Sequence, residues 1–389
     1  MNHLMKVTSI IPSLLILLFI GCNKSDRIQM SSLEKYWSSL DSSGFSLYLG
    51  ETIKKSKVFT KYITADLETE EVLSDYKVDA ADDPAIWINK ENTGNSLILG
   101  TNKKGGVHVY DLEGNELQFI RAGYINNIDL RDNFSYKGKD VVLVAGSNCT
   151  LNTIALFYID KEKNRLSDTI LNIKTDVALV YGICMYKSEV SGKFYVFING
   201  EKGEIEQWEI NSVNGGIEAE VVRNFVVSSR PEGMVADDKN GILFIGVEEE
   251  GVLKVKAEPE NEFKNVWVHG SNPDNRTFIS ADIEGLAYFK LNDKTYLLIS
   301  SQGNFSYAIF EISNTDKYIT SFTIVDDKID GAEETDGLEI YDGYINEQFP
   351  NGMLVVHDGY NFMGDSLQRQ NFKYIKLEKV ESLVNSNTN

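Results

Sequence analysis

From about residue 59 onward, apolar residues come in runs of four to six separated by Gly, Asn and Asp, with almost no helical periodicity. Runs of that length bounded by turn formers predict strands. The runs also recur. LILGTN, VVLVAGSN, YVFINGEKG, LFIGVEEEG, LLISSQGN and MLVVHDG each end in a small or polar turn. Each is followed by a second, aromatic-rich run, in order GVHVYDL, TIALFYID, IEQWEI, GVLKV, YAIFEI and FKYIKLE, so every unit contains a hairpin. A third segment precedes each hairpin, starting at Asp83, Asn127, Tyr181, Glu232, Glu284 and Asp336, at intervals of 44, 54, 51, 52 and 52 residues. Further segments such as ELQFIRAG and EVVRNFVV close the units. The pattern predicts an all-β chain, a six-bladed β-propeller with about four antiparallel strands per blade. A capped solenoid is the other architecture that such a repeat allows.

The repeat also singles out a site. The first strand of every propeller blade lines the central channel, so equivalent residues at its start form a ring around one end of the axis. Here the ring is expected to be acidic: Asp82 and Asp83 in DAADDPAIW, Asp129 in NNIDLR, Glu232 in RPEGMVADD, Glu284 in ADIEGLAYF and Asp336 in ETDGLEIYD, with Tyr181 in the remaining blade. Taken singly, each is an ordinary solvated turn carboxylate. Repetition in phase in five of six blades is what marks them. Clustered carboxylates repel one another, and burial raises their pKa values unless cations neutralise them. Hard divalent cations, which bind through oxygen, are the simplest remedy, and calcium is the expected metal.

Charge narrows the partners. The chain of 389 residues carries a net charge of −20, a field that repels nucleic-acid backbones and anionic lipid surfaces. With 42% hydrophobic and 25% charged residues it is composed for a large folded core. Three widely spaced cysteines, Cys22, Cys149 and Cys184, exclude a disulfide framework, and with only four histidines they give no zinc site. The N-terminus reads as an export signal: Lys6, an apolar stretch from Ile10 to Ile20 too short to span a bilayer, then Gly21 and Cys22. A small residue before a cysteine at that point is the pattern of a lipoprotein signal, with Cys22 as the acylated residue, although Phe19 is less usual there than Leu. The expected organisation is a signal at 1–22, a tether at 23–58, the propeller at 59–381 and a polar tail at 382–389. A monomer in the cell envelope follows, held to the membrane only through its lipid; a plain secreted or periplasmic form is the alternative.

Seven segments in order resemble a known family. DAADDPAIW (79–87), TNKKGGVHVYDLEG (101–114), NNIDLR (126–131), EGMVADD (232–238), DIEGL (282–286), SSQGNFSYAIFE (300–311) and DGAEETDGLEI (330–340) are similar to the signature segments of the β-propeller phytases. Those are alkaline, calcium-dependent enzymes that hydrolyse inositol hexakisphosphate. The resemblance runs from about 65 to 378 and is more specific than any single motif. It implies that Tyr181, Glu232, Glu248 and Glu284, with Asp82 and Asp83, hold calcium ions at the catalytic end of the channel. A calcium-bridged water would then attack phosphorus directly. It further implies that Lys103, Lys104 and Arg131 clamp phosphate oxygens, and that Asp330, Asp336 and Asp358 belong to calcium sites that stabilise the fold. The substrate expected is phytate or a related myo-inositol phosphate.

Some positions depart from the family's pattern. Cys149 stands where an Arg is usual, Glu201 stands where a phosphate-binding Lys is usual with Lys202 one place later, Val247 replaces an acidic residue, and His357 replaces an amide. The accessory phosphate site is therefore altered, and Lys202 is the expected substitute. No GxSxG elbow, GxxxxGK[ST] loop or RHGxRxP-like segment occurs. The readings that remain beside a phosphatase are a calcium-dependent lactonase or arylesterase and a non-catalytic binding propeller. The basic Lys103, Lys104 and Arg131 favour a phosphorylated substrate.

Overall fold

A computed structural model of the chain describes residues 30–388 except 261 and 277; the signal at 1–22, with Cys22, lies outside the described residues. Six sheets of four or five strands follow one another along the chain. Their innermost strands are Ala81–Trp87, Ile125–Tyr136, Val180–Lys187, Pro231–Asp237, Ile283–Leu291 and Leu338–Tyr341. Each innermost strand lies beside the next and the sixth lies beside the first, which makes the six-bladed β-propeller. The ring is locked by strands from opposite ends of the chain. Leu67–Glu68 pairs with Asn371–Lys376, placing Leu67 opposite Tyr374, so the outer strand of blade six precedes blade one in sequence. Tyr62–Ile63 adds a parallel edge to blade five.

One apolar cluster fills each junction between blades. Ala85, Leu99 and Val109 of blade one meet Ile128, Val144 and Phe157 of blade two. Ala287, Leu298 and Ile309 of blade five meet Leu354, Val356 and Ile375 of blade six. The other four junctions are built in the same way. The strands therefore bury both faces against neighbouring sheets, which is why the sequence shows continuous apolar runs instead of alternation. Full burial of each Leu, Val or Phe stabilises by about 1.5–3 kcal/mol, so the junctions dominate the stability of the ring.

Two terminal segments differ from expectation. Within the segment 23–58, read as a tether, Ser32–Ser39 (α1) and Gly44–Ser56 (α2) are helices. Ser31 starts α1 with a capping box: its hydroxyl accepts from Glu34 N at 3.2 Å, and the Glu34 carboxylate accepts from Ser31 N at 2.8 Å. Trp37 Nε1 donates to Ser46 O at 2.8 Å and ties the two helices together. Leu33, Leu49 and Ile53 then bury against Phe305, Tyr360 and Phe362 of the propeller. The Ser-rich, charged composition hid an apolar stripe at three- and four-residue spacing. At the other end, the supposed polar tail from 382 continues the helix Leu377–Thr388 (α3), whose Val380 and Val384 join the core between blades five and six.

Burial of a charge marks blade six. Lys373, with 0% of its side chain exposed, places Nζ 2.5 Å from Glu68, 2.6 Å from Asp330 and 3.1 Å from Asp358. The carboxylates assigned to stabilising calcium thus face an ammonium group. A lone buried charge would be very costly, and this one stands because three carboxylates surround it.

The docking of α2 carries a test. Leu49→Ala is expected to cost about 2–3 kcal/mol and to lower amide-exchange protection across Gly44–Ser56 while the sheets keep theirs. Unchanged protection in α2 would mean that the helix stands free of the propeller.

Candidate active site

The innermost strands share one irregularity that builds the site. In each of the first five blades the ladder to the second strand skips two residues near its start. The shifts fall between Ala81 and Pro84, Ile125 and Ile128, Val180 and Ile183, Pro231 and Met234, and Ile283 and Leu286. Such bulges re-aim side chains at the end of a strand. The first bulged residues are Asp82, Asn126, Tyr181, Glu232 and Glu284, and Asp336 stands at the corresponding place before Leu338 in blade six. The second is glycine in blades three to five. A Cβ at Gly233 would lie 2.2 Å from Glu284 O, and one at Gly182 would lie 2.0 Å from Glu232 O, so the ring closes only where these side chains are absent.

A second, outer ring follows from the backbone. The residue after each second strand donates its N–H to the carbonyl two places before the bulge: Lys103 to Ala80, Cys149 to Tyr124, Glu201 to Leu179, Glu248 to Arg230 and Gln302 to Asp282. Lys103, Cys149, Glu201, Glu248 and Gln302 are therefore equivalent positions in successive blades.

The two rings bring three glutamates together. Oxygens of Glu232, Glu248 and Glu284 all lie within 4.8 Å of one another, and all three residues are buried. Asn126 Nδ2 donates to Glu232 Oε1 at 2.9 Å, and Arg230 Nη2 lies 2.5 Å from Glu248 Oε2. Glu248 Oε1, Glu284 Oε2 and Asp82 Oδ1 are buried without a hydrogen-bond donor among the described residues. An all-oxygen, anionic donor set with unpaired buried oxygens fits a hard divalent cation. Beside it, Lys103 Nζ bridges Asp82 at 2.9 Å and Asp336 and Asp79 at 3.1 Å each. Gln302 Nε2 donates to Asp336 Oδ1 at 2.5 Å.

The charge states follow from these neighbours. Burial pushes the Glu248 carboxyl up to about 7, against the pull of Arg230 and with the help of Glu232. Burial and Glu232 push Glu284 up, and burial, Asp336 and Glu232 push Asp82 up despite Lys103. Burial and the three glutamates push the Tyr181 phenol up, so it keeps its proton and remains a donor. Asp336 goes the other way: burial opposes its charge, but Lys103 outweighs burial and holds its carboxyl below the usual range.

Several expected residues lie elsewhere. In blade two the ring position is Asn126, while Asp129 sits three places further along the strand. Asp129 accepts from Arg131 Nη1 at 2.8 Å and from Met185 N at 2.7 Å. Arg131, expected to clamp phosphate, is engaged by Asp129 and by Asp238 at 2.8 Å, inside a channel cavity of about 290 Å³. Asp83 turns into the same cavity and accepts from Ile128 N at 2.9 Å, latching blade one to blade two. Lys202 is exposed, and Glu201 takes the outer-ring position in its place. Lys104 lies at the rim, 2.8 Å from Asp79 and over the rings of Tyr76 and Tyr124. His357 accepts from Asp336 N at 3.1 Å, and burial lowers its pKa to about 4, so it acts as a neutral structural acceptor. Cys149 and Cys184 are both free thiols. Arg230, Asn126 and Gln302 complete the site without having been singled out in the sequence; the signal for Arg230 was its place just before Pro231 and Glu232.

Comparison with known proteins places the chain in a family. The family profile described as Phytase matches residues 33–389. The 3-phytase of Bacillus subtilis (strain 168) is 40% identical over 328 residues, 82% of this chain and 84% of its own length. A structural genomics protein of unknown function from Bacteroides thetaiotaomicron VPI-5482 superposes with a TM-score of 0.50 at 12% identity, over 81% of this chain and 74% of its own, a likeness of fold alone.

The raised carboxyls give a pH test. Glu248 titrates near 4.5 when unperturbed and near 7 when folded, so between those values the folded state binds more protons than the unfolded one. The contribution of this carboxyl to the stability of the metal-free protein is thus full below about 4.5 and is lost as pH rises through about 7. In EDTA the melting midpoint is expected to fall over this interval, and calcium should remove the fall at neutral pH. Midpoints that ignore both pH and calcium would contradict the assignment.

Proposed function

Because the chain belongs to the β-propeller phytase family and so hydrolyses phytate, we propose that Glu232, Glu248 and Glu284, flanked by Tyr181 and Asp82, hold calcium where the phosphate ester is cleaved. The observation that carries this reading is the meeting of three buried carboxylates within 4.8 Å. Calcium bound there supplies positive charge against the phosphate and lowers the pKa of water for in-line attack on phosphorus.

The chain's own residues supply positioning. Lys103 keeps Asp336 ionised and lends positive charge to a rim that would otherwise repel a polyanion. The protonated Tyr181 phenol offers a donor to a phosphate oxygen. Lys104, resting on two tyrosine faces, reaches the rim as a point charge. No side-chain nucleophile is required. With family membership the lactonase-like and binding-only readings lose their support.

We further read the protein as an exported lipoprotein acylated at Cys22; the support is the sequence of the signal itself. Among the described residues no helix is long and apolar enough to cross a membrane. Every ring residue named above comes from one chain, which supports action as a monomer.

The test is phosphate release from phytate. Activity is expected with calcium and is expected to vanish in EDTA. Glu232→Gln and Glu284→Gln should each lower kcat by about 100-fold or more at saturating calcium, the scale of losing one electrostatic stabiliser of a transition state. Asp168→Asn, on the surface away from the rings, should change little. Near wild-type turnover in both glutamine variants would move the chemistry to other residues.

A further inference from the structure

Beyond Lys103, Lys104 and Arg131 the family resemblance leads one to expect two further positive side chains, and both are missing from the rim. Position Cys149 of the outer ring carries a thiol whose Sγ lies 3.2 Å from Val180 O and whose pKa burial raises to about 12, so it is neutral. Position Glu201 carries an exposed carboxylate. Arg131 is spent on Asp129 and Asp238 inside the channel. A polyanion entering over the three glutamates would meet a surplus of negative charge on the side of blades two and three.

A guanidinium borders that side, at the entry to blade four and over Tyr181 of blade three. Arg230 sits two residues before Glu232, and its carbonyl anchors Glu248, so the backbone fixes it beside two of the three glutamates. Its Nη2 pairs with Glu248 Oε2 at 2.5 Å, and its guanidinium carbon lies 5.4 Å from the centre of the Tyr181 ring. The side chain is 44% exposed, and its other N–H groups meet no acceptor among the described residues. It is therefore a planar donor, stacked on an aromatic face, with one edge on the metal-binding carboxylate and the rest open to the rim.

We propose that Arg230 is the phosphate-binding guanidinium of this site, standing in for the charges lost at Cys149 and Glu201. The proposal rests on the phosphatase reading above. In the metal-free protein the guanidinium is the counterion of Glu248. With a cation on Glu248 that pairing is redundant, and the same N–H groups are free to grip a phosphate oxygen pair in the bidentate manner that Arg favours. One residue thereby serves the empty and the loaded site in turn.

The test uses full-length protein and a substrate mimic that cannot be hydrolysed, myo-inositol hexasulfate, titrated calorimetrically into calcium-loaded protein. Arg230→Gln is expected to weaken binding of the mimic by tenfold or more. Arg230→Lys should recover part of the loss, since a point charge replaces a bidentate fork. Calcium binding, titrated without the mimic, should be equal or tighter in Arg230→Gln because a competitor for Glu248 has gone. Mimic binding within twofold of wild type would overturn the proposal, and so would a parallel loss of calcium binding, which would make Arg230 a structural counterion only. The failure of the underlying reading is separate: wild-type protein would then bind the mimic through Arg230 yet release no phosphate from phytate.

Discussion

Mutual repulsion among buried carboxylates is the constraint around which this molecule is built. Glu232, Glu248 and Glu284 bring oxygens within 4.8 Å of one another in a place where water cannot screen them. Left alone, such a group takes up protons, and the raised pKa values of Glu248 and Glu284 are that response. Paired with a divalent cation, the same geometry becomes a high-charge site that a phosphate ester can approach. Arg230 on Glu248 and Lys103 on Asp82 and Asp336 are internal cations that make the arrangement tolerable meanwhile.

A scaffold that forces like charges together has to be stiff. The propeller achieves this with six inter-blade cores and with bulges that aim one side chain at the axis in each of the first five blades. Glycines at the second bulge position of blades three to five let those blades approach their neighbours closely, as where Gly285 N meets Asp336 O at 2.7 Å. Closure by the Leu67–Glu68 strand prevents the ring from opening at blade six. The same logic, a cation embedded among carboxylates, recurs away from the site, where Lys373 lies among Glu68, Asp330 and Asp358.

Much of this was legible in the chain because the repeat is long and regular. Six runs of apolar residues spaced by about fifty were enough to place Glu232, Glu284 and Asp82 on one rim. What escaped was decided by register and by long-range contact. The bulge after Ile125 makes Asn126 the ring residue and drops Asp129 into the channel, and no local signal distinguishes an Asn-Asn pair from the Asp two places on. Arg131 looked available until the fold set Asp238 opposite it, more than a hundred residues away in sequence. The helices α1 and α2 have modest apolar stripes that acquire meaning only against Phe305 and Tyr360. Lys373 reads as an ordinary strand lysine until blade six wraps around it.

The central claim is that the three glutamates form a cation site and not merely a strained acidic patch. A crystal structure of the protein grown with calcium, with the ions identified by their anomalous signal, tests it most directly. The account predicts calcium bound by carboxylate oxygens of Glu232, Glu248 and Glu284 at about 2.3–2.6 Å, with Arg230 withdrawn from Glu248. Calcium-saturated crystals in which these carboxylates keep the contacts seen here and carry no ion would contradict it.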